Sequence, residues 1–372
     1  MPGTLQITEH IRSLERHWVR GEGATEAPVA NVLWKIASAY YDTPTFETLL
    51  HLVESMISAH QSRFGFGLPD NQKIAFNAFM DVSPKLVDIL RETALESFGH
   101  EMMAQVADFL DDAIRKSSIE KQDTIRDFLS PFLDENSRVK VATLNYDDAI
   151  ERSISNFWDG FTASDPGVVD FDGFQNDHKL EILHLHGSIR FAPTPLAGAP
   201  RPTPELIRYG SNVSAKPFRS APLTTVNAFT QAGERIFTGP MISGLRKTEK
   251  LVIQPLGLYH HRFVDGLLRT PRLLCIGYGG WDTYINSAIF QARRIHGDAF
   301  RAVYILKTDA SEPSQALVLP ANHSITYWHE FKGFAQRLAA AGNCLEESGM
   351  ILITTGFPTS RDLTARIASF LK

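Results

Sequence analysis

The sequence predicts an α/β fold: a parallel sheet covered on both faces, with a helical subdomain near the N-terminus. Three observations predict it. From Val29 to about Phe132, apolar residues recur at helical spacing and no β-rich run interrupts them. Past Ser137, strand-like runs at 138–144, 181–185, 272–277 and 301–306 are interspersed with or followed by helix-like runs at 146–157, 260–269, 283–296 and 329–341. That alternation is the pattern of parallel strands joined by crossover helices. Finally, three strand-like runs end in polar clusters: Thr143 to Asp147, His184 to Ser188 and Gly277 to Asp282. The expected organisation is an N-terminal segment (1–28), a helical subdomain (29–135) and an α/β core (136–372).

The elements follow in order. Leu33, Ile36, Ala37 and Tyr40 share one helical face, as do Phe46, Leu49, Leu50 and Val53. Thr45 is placed to cap the second helix, with Glu47 and Thr48 in its first turn. Further helical runs occupy 84–97, 101–115 and 121–133, the last closed at the Ser130-Pro131 break. The acidic pair Asp111-Asp112 reads as part of a solvated helix face. The interval 191–250 is rich in Pro, Gly, Thr and Ser and sustains no period. It reads as a long excursion that covers a site or meets another copy of the chain. The tail 351–372 returns to a strand, a Gly-Phe-Pro turn and a final helix.

Composition narrows the function classes. The 372 residues carry a net charge of −5, which gives no electrostatic case for nucleic-acid binding by the chain as a whole. The two cysteines, Cys275 and Cys344, cannot build a four-thiolate zinc site, and no CxxC occurs. Cys275, inside an apolar run, reads as a buried structural thiol. The N-terminal stretch lacks an apolar signal core, and no apolar run approaches the ~18 residues of a membrane span. A cytoplasmic protein with no membrane partner is expected.

Each strand end has two readings. Asn145 can touch a ligand at the carboxyl end of its strand, or simply start a turn, with Asp147 or Asp148 capping the helix that follows. His186, before Gly187, is placed as a general base, since histidine titrates near neutrality; a core histidine bonded to backbone is the alternative. If the strand stays regular, Ile182, His184 and His186 share a face. In Gly277-Tyr278-Gly279-Gly280-Trp281-Asp282 the glycines permit close approach of a ligand, and the helix from Thr283 offers its N-terminus to phosphate. Asp282 can cap that helix or hold ribose hydroxyls. The adjacent pair His260-His261 points in different directions on a helix and carries no shared ligand role.

Taken together, Thr143-Leu144-Asn145-Tyr146-Asp147, Leu185-His186-Gly187-Ser188 and the Gly277–Asp282 turn resemble the sirtuin-like family. More narrowly, the chain looks like the sirtuin-like domains of prokaryotic anti-phage defence. The resemblance covers roughly residues 136–310, and the Ile253-Gln254-Pro255 stretch also looks family-like. It implies a Rossmann-like NAD-binding core with Asn145 and His186 as the catalytic pair. It further implies NAD contacts at Thr143, Asp147, Gly187, Ser188, Gly277, Tyr278, Gly279 and Asp282. The family's phosphate loop, Gly-Ala-Gly-x-Ser, has its nearest match in Arg20-Gly21-Glu22-Gly23-Ala24-Thr25, which makes Gly21 and Gly23 the phosphate contacts and leaves a carboxylate, Glu22, beside them. Without the cysteines of the zinc module, the implied activity shifts from protein deacylation to NAD hydrolysis without a metal. The resemblance also implies a homo-oligomer, gated by a separate partner such as an ATPase, an Argonaute-like protein or a nucleotide-sensing protein. A non-catalytic NAD or ADP-ribose-binding module and a zinc-free deacylase are the alternatives.

Overall fold

The computed structural model describes residues 4–18, 26–63, 92–116, 119–133, 137–193, 205–210, 228–229, 235–236, 240–242, 247–280, 282–307, 331–342, 344–357 and 360–372. In chain order the described elements begin with helices α1 (Thr4–Trp18), α2 (Glu26–Tyr40), α3 (Phe46–Arg63), α4 (Glu92–Arg115) and α5 (Ile119–Leu129). Strand β1 (Val139–Thr143), the short helix α6 (Ala149–Ser153) and strands β2 (Leu180–His184), β3 (Phe191–Pro193) and β4 (Leu206–Arg208) come next. Then follow β5 (Ala228–Phe229), β6 (Arg235–Ile236), α7 (Leu256–Arg269), β7 (Arg272–Ile276), α8 (Thr283–His296) and β8 (Arg301–Ile305). The chain closes with α9 (Phe331–Ala340), β9 (Cys344–Glu347), β10 (Met350–Ile353) and α10 (Arg361–Leu371). The protein is thus a mixed α/β protein. It divides into two compact units, Met1–Ser118 with Val141–His260, and Ile119–Lys140 with His261–Lys372.

In the first unit, α1 to α4 bury their apolar stripes against one another. Ile7 and Ile11, Leu33 and Ala37, Leu49 and Val53, and Phe98 and Met102 are all within the core. Each pair sits four residues apart, so each helix presents one face to the others. Thr45 begins α3 as expected: its Oγ1 accepts from the Thr48 N–H (3.3 Å), and the Thr48 hydroxyl accepts from the Thr45 N–H (3.2 Å). This reciprocal bond satisfies two otherwise orphaned donors. Tyr146, Ile189 and Met241 pack into the same helical core. They come from the segments after β1 and β2 and from within the 191–250 excursion.

That excursion is therefore built into the unit where it is described. β3 pairs antiparallel with β4, and β5 with β6. Leu206, Ile207, Met241 and Ile242 are buried. Burial of these apolar side chains, which the Pro/Gly-rich composition around them obscures, draws the segment inward.

In the second unit, β7, β8 and β10 run parallel, and β9 closes the edge antiparallel to β10. The β9–β10 hairpin turns at Ser348 and Gly349, both with positive φ. The β8 and β10 residues Val303, Ile305, Ile351 and Ile353 form a core with Phe128 of α5 and Ile367 and Leu371 of α10.

Candidate functional site

β1 and β2 form a two-stranded sheet, and their hydrogen bonding continues past both strand ends. The Leu185 N–H donates to the Thr143 carbonyl (3.0 Å), and the Ile189 N–H donates to the Tyr146 carbonyl (2.8 Å). The partners advance together along the two segments, so Thr143–Asp147 and His186–Ser188 lie side by side. Six of the expected site residues, Thr143, Asn145, Asp147, His186, Gly187 and Ser188, are gathered here.

Their surroundings differ. Asn145 is exposed; its backbone N–H is held by the Thr143 Oγ1 (3.1 Å). His186 is only 7% exposed. β2 ends at His184, so His186 stands in the turn after the strand and does not continue its face. At Gly187 φ is +82°, and the Gly187 segment bridges antiparallel to Met241. The Ser188 N–H donates to the Pro240 carbonyl (3.1 Å), and the Ile242 N–H donates to the His186 carbonyl (2.7 Å). The Tyr146 hydroxyl donates to the Ile242 carbonyl (3.0 Å). Ser188 is buried, its Oγ accepting from the Arg190 N–H (3.2 Å). Within this geometry it is a turn-former.

Asp147 is buried and accepts from the Ala149 N–H through Oδ1 (3.1 Å). Burial raises its pKa against that hydrogen bond, with Glu151 adding repulsion and His184 opposing it. The helix expected over 146–157 is reduced to α6: Asp147 Oδ1 holds the Ala149 N–H in a turn before it, the chain is extended at Ile154, and Asn156 adopts φ +61°.

His184 is the buried core histidine. Its Nε2 bonds Glu151 Oε1 of α6, and its ring packs edge-on to Phe191 at 5.5 Å. Burial alone lowers its pKa, but the charge and hydrogen bond of Glu151, with Asp159 and Asp147, outweigh this and raise it overall. His260 has a similar structural role, its Nε2 3.0 Å from the Leu185 carbonyl.

Two ionic residues near this site, Arg152 and Arg190, had no assigned part in the sequence reading. Arg190 pairs with Asp148 and with Asp111, and Arg152 pairs with Asp148. Asp111 is buried, contrary to the solvated helix face expected for it, because Arg190 neutralises it; Asp112 is exposed. The i,i+4 spacing of Asp148 and Arg152 is a readable signal. The partners of Arg190, 42 and 79 residues away, leave none.

The Gly277–Asp282 turn belongs to the second unit. Gly277 has φ +67°, with open space where a Cβ would stand. Asp282 is the N-cap of α8: its Oδ1 accepts from the Tyr284 (3.1 Å) and Ile285 (3.2 Å) N–H groups. The Tyr278 hydroxyl accepts from the Asp282 N–H (3.0 Å) and lies 2.8 Å from Asn286 Oδ1. Asn286 Nδ2 donates to the Gly280 carbonyl (2.8 Å). Gly279 sits inside this braced turn. Cys275 is buried as expected, and burial pushes its thiol up to about 12.

Gly21 and Gly23, with the rest of the expected phosphate loop, lie outside the described residues. Among the described residues, no cluster of three or more His, Cys, Asp or Glu could hold a metal ion. No described helix is long and apolar enough to cross a membrane. No protein-family model matches the chain, and no curated protein matches it.

Proposed function

We propose that this chain is a sirtuin-like NAD hydrolase with a Rossmann-like core. It releases nicotinamide and leaves ADP-ribose. The observation that carries this reading is the adjacency of Thr143–Asp147 and His186–Ser188, tied by the Thr143–Leu185 and Tyr146–Ile189 hydrogen bonds. It puts an amide and an imidazole on neighbouring strand ends, the usual place for ligands in open α/β sheets.

Cleaving nicotinamide from ribose passes through an oxocarbenium-like state, as glycoside hydrolysis does. Nicotinamide departs neutral and needs no general acid. The reaction needs a placed water, an acceptor for a proton from that water or from a ribose hydroxyl, and separation from bulk solvent. Asn145, exposed at the strand end, orients the water or the ribose. His186 accepts the proton, and its burial suits the need to exclude solvent. Asp147 holds a hydroxyl or orients its neighbours. Thr143 and Gly187 contribute backbone contacts.

In this reading the protein is a cytoplasmic effector of anti-phage defence that depletes NAD. Such an activity has to stay silent until triggered, which calls for an oligomer gated by a separate partner protein. A second reading, NAD or ADP-ribose binding without turnover, draws on Glu22, a carboxylate where phosphates are expected.

The test is to incubate the full chain with NAD, alone and with candidate partners encoded beside it, and to quantify nicotinamide and ADP-ribose. Asn145→Ala and His186→Ala should each reduce release by about 10²-fold or more. No nicotinamide under any condition sinks the hydrolase reading; binding by calorimetry without product then favours the second. A His186→Ala variant as fast as the parent removes His186 as the base.

A further inference from the structure

Three charged side chains, Asp111, Asp148 and Arg190, are buried together within the first unit, with the partly buried Arg152 beside them. Arg190, 5% exposed, reaches Asp148 through Nε (2.7 Å) and Asp111 of α4 through Nη2 (2.6 Å). Arg152 of α6 lies with Nε 3.0 Å from both Asp148 oxygens and Nη2 3.7 Å from Asp111 Oδ1. Asp148 follows Asn145 by three residues, and Arg190 follows His186 by four. The group therefore joins the segment after β1, the segment after β2 and the helical layer.

Arg115 of α4 adds its Nε 2.9 Å from Asp111 Oδ2, so the two carboxylates face three guanidiniums. Well-packed apolar side chains often stabilise a core as much as buried ions do, so stability alone is a poor account of them. Their distinctive contribution is direction. The planar guanidinium of Arg190 uses two different nitrogens to hold carboxylates on two different elements, which a lysine ammonium cannot do in the same geometry.

Resting on the hydrolase reading above, we infer that Arg190 is the positioning residue of the site. Its bonds to Asp148 and Asp111 fix the two segments that carry Asn145 and His186 in register. Catalytic groups misplaced by about 1 Å lose on the order of 10²-fold in rate, so this clamp sets turnover more than substrate affinity.

The test compares Arg190→Lys, which keeps the charge, and Asp111→Asn, which keeps the shape and removes the α4 carboxylate charge that faces Arg190, Arg152 and Arg115, with the parent full chain. Amide hydrogen exchange should speed up about tenfold or more at the Leu185 and Ile189 N–H groups, while α2 and α3 exchange at parental rates. In a chain that releases nicotinamide, kcat should fall roughly 10- to 100-fold with KM for NAD within about threefold. Unchanged exchange at Leu185 and Ile189 in both variants overturns the inference. So does uniform acceleration across the chain, or an unchanged kcat in an active enzyme. If the parent releases no nicotinamide, the hydrolase reading fails by that result, and the exchange data alone decide whether Arg190 holds the two segments.

Discussion

At Gly187 two demands meet in one residue. The backbone adopts φ +82°, and a Cβ added there would stand 1.9 Å from the Pro240 carbonyl oxygen. Gly277 shares the left-handed conformation, at φ +67°, but a Cβ there meets nothing within 4 Å. The two positions separate conformational strain from collision. Gly277→Ala should cost about 1–2 kcal/mol, the strain of an L-residue in that region. Gly187→Ala adds the displacement of a backbone strand and should lose at least about 2 kcal/mol more. Denaturant midpoints of the two variants check this; equal shifts would mean that the Pro240–Ile242 segment yields freely. The glycine after His186 was legible in the sequence as a sharp exit, but its partner, more than fifty positions on, was not. The same holds for His184 and His186. Their alternation suggested a shared face, whereas the strand ends between them and sends His184 to Glu151.

At the scale of elements, what could be read was what local sequence dictates. β1, β2, β7 and β8 lie within about a residue of the apolar runs that announced them, and α8 spans the expected 283–296. Their signals are period and cap, both of which are local. The misses come from tertiary demands. α6 is short because Asp147 Oδ1 holds the Ala149 N–H in a turn before it and the chain becomes extended at Ile154 after it. β9 went unread because Cys-Leu-Glu-Glu carries little strand pattern of its own; it forms by pairing with β10 at the sheet edge. The cap of α8 gives an element-scale prediction. Asp282 Oδ1 receives two N–H groups, so Asp282→Ala should cost about 1 kcal/mol, while Asp282→Asn, an equally good cap, should cost little. Thermal melts of the two variants measure this. If Asp282→Asn melts with the parent yet weakens NAD binding, Asp282 has a task beyond the cap.

For the whole molecule, the net charge of −5 conceals where the charges are. Much of the ionic character of the first unit is internal: Arg190 with Asp111 and Asp148, Lys250 with Glu54, Arg208 with Asp159 (3.1 Å), and His184 with Glu151. Buried pairs respond to pH through the difference between folded and unfolded titration. His184 is raised above its ordinary 6.5: burial pushes it down, and Glu151, Asp159 and Asp147 more than reverse that. The folded protein then holds a proton that the unfolded chain releases. The stability this contributes is fully present below about pH 6.5 and is lost as pH rises through the folded pKa. Asp148 works in the opposite direction. Burial raises its pKa, but Arg190 and Arg152 hold it below 3.8, so its contribution is lost as pH falls through the acid range. Asp147 and Asp159, raised chiefly by burial, weaken the fold as pH climbs from the ordinary carboxylate range. The parent should therefore melt at a lower temperature at about pH 8 than at about pH 6. His184→Gln should flatten that limb while keeping the acid limb set by Asp148. Scanning calorimetry across this range decides it: an unchanged difference between the two pH values in His184→Gln would show that the slope arises elsewhere than at the His184–Glu151 pair.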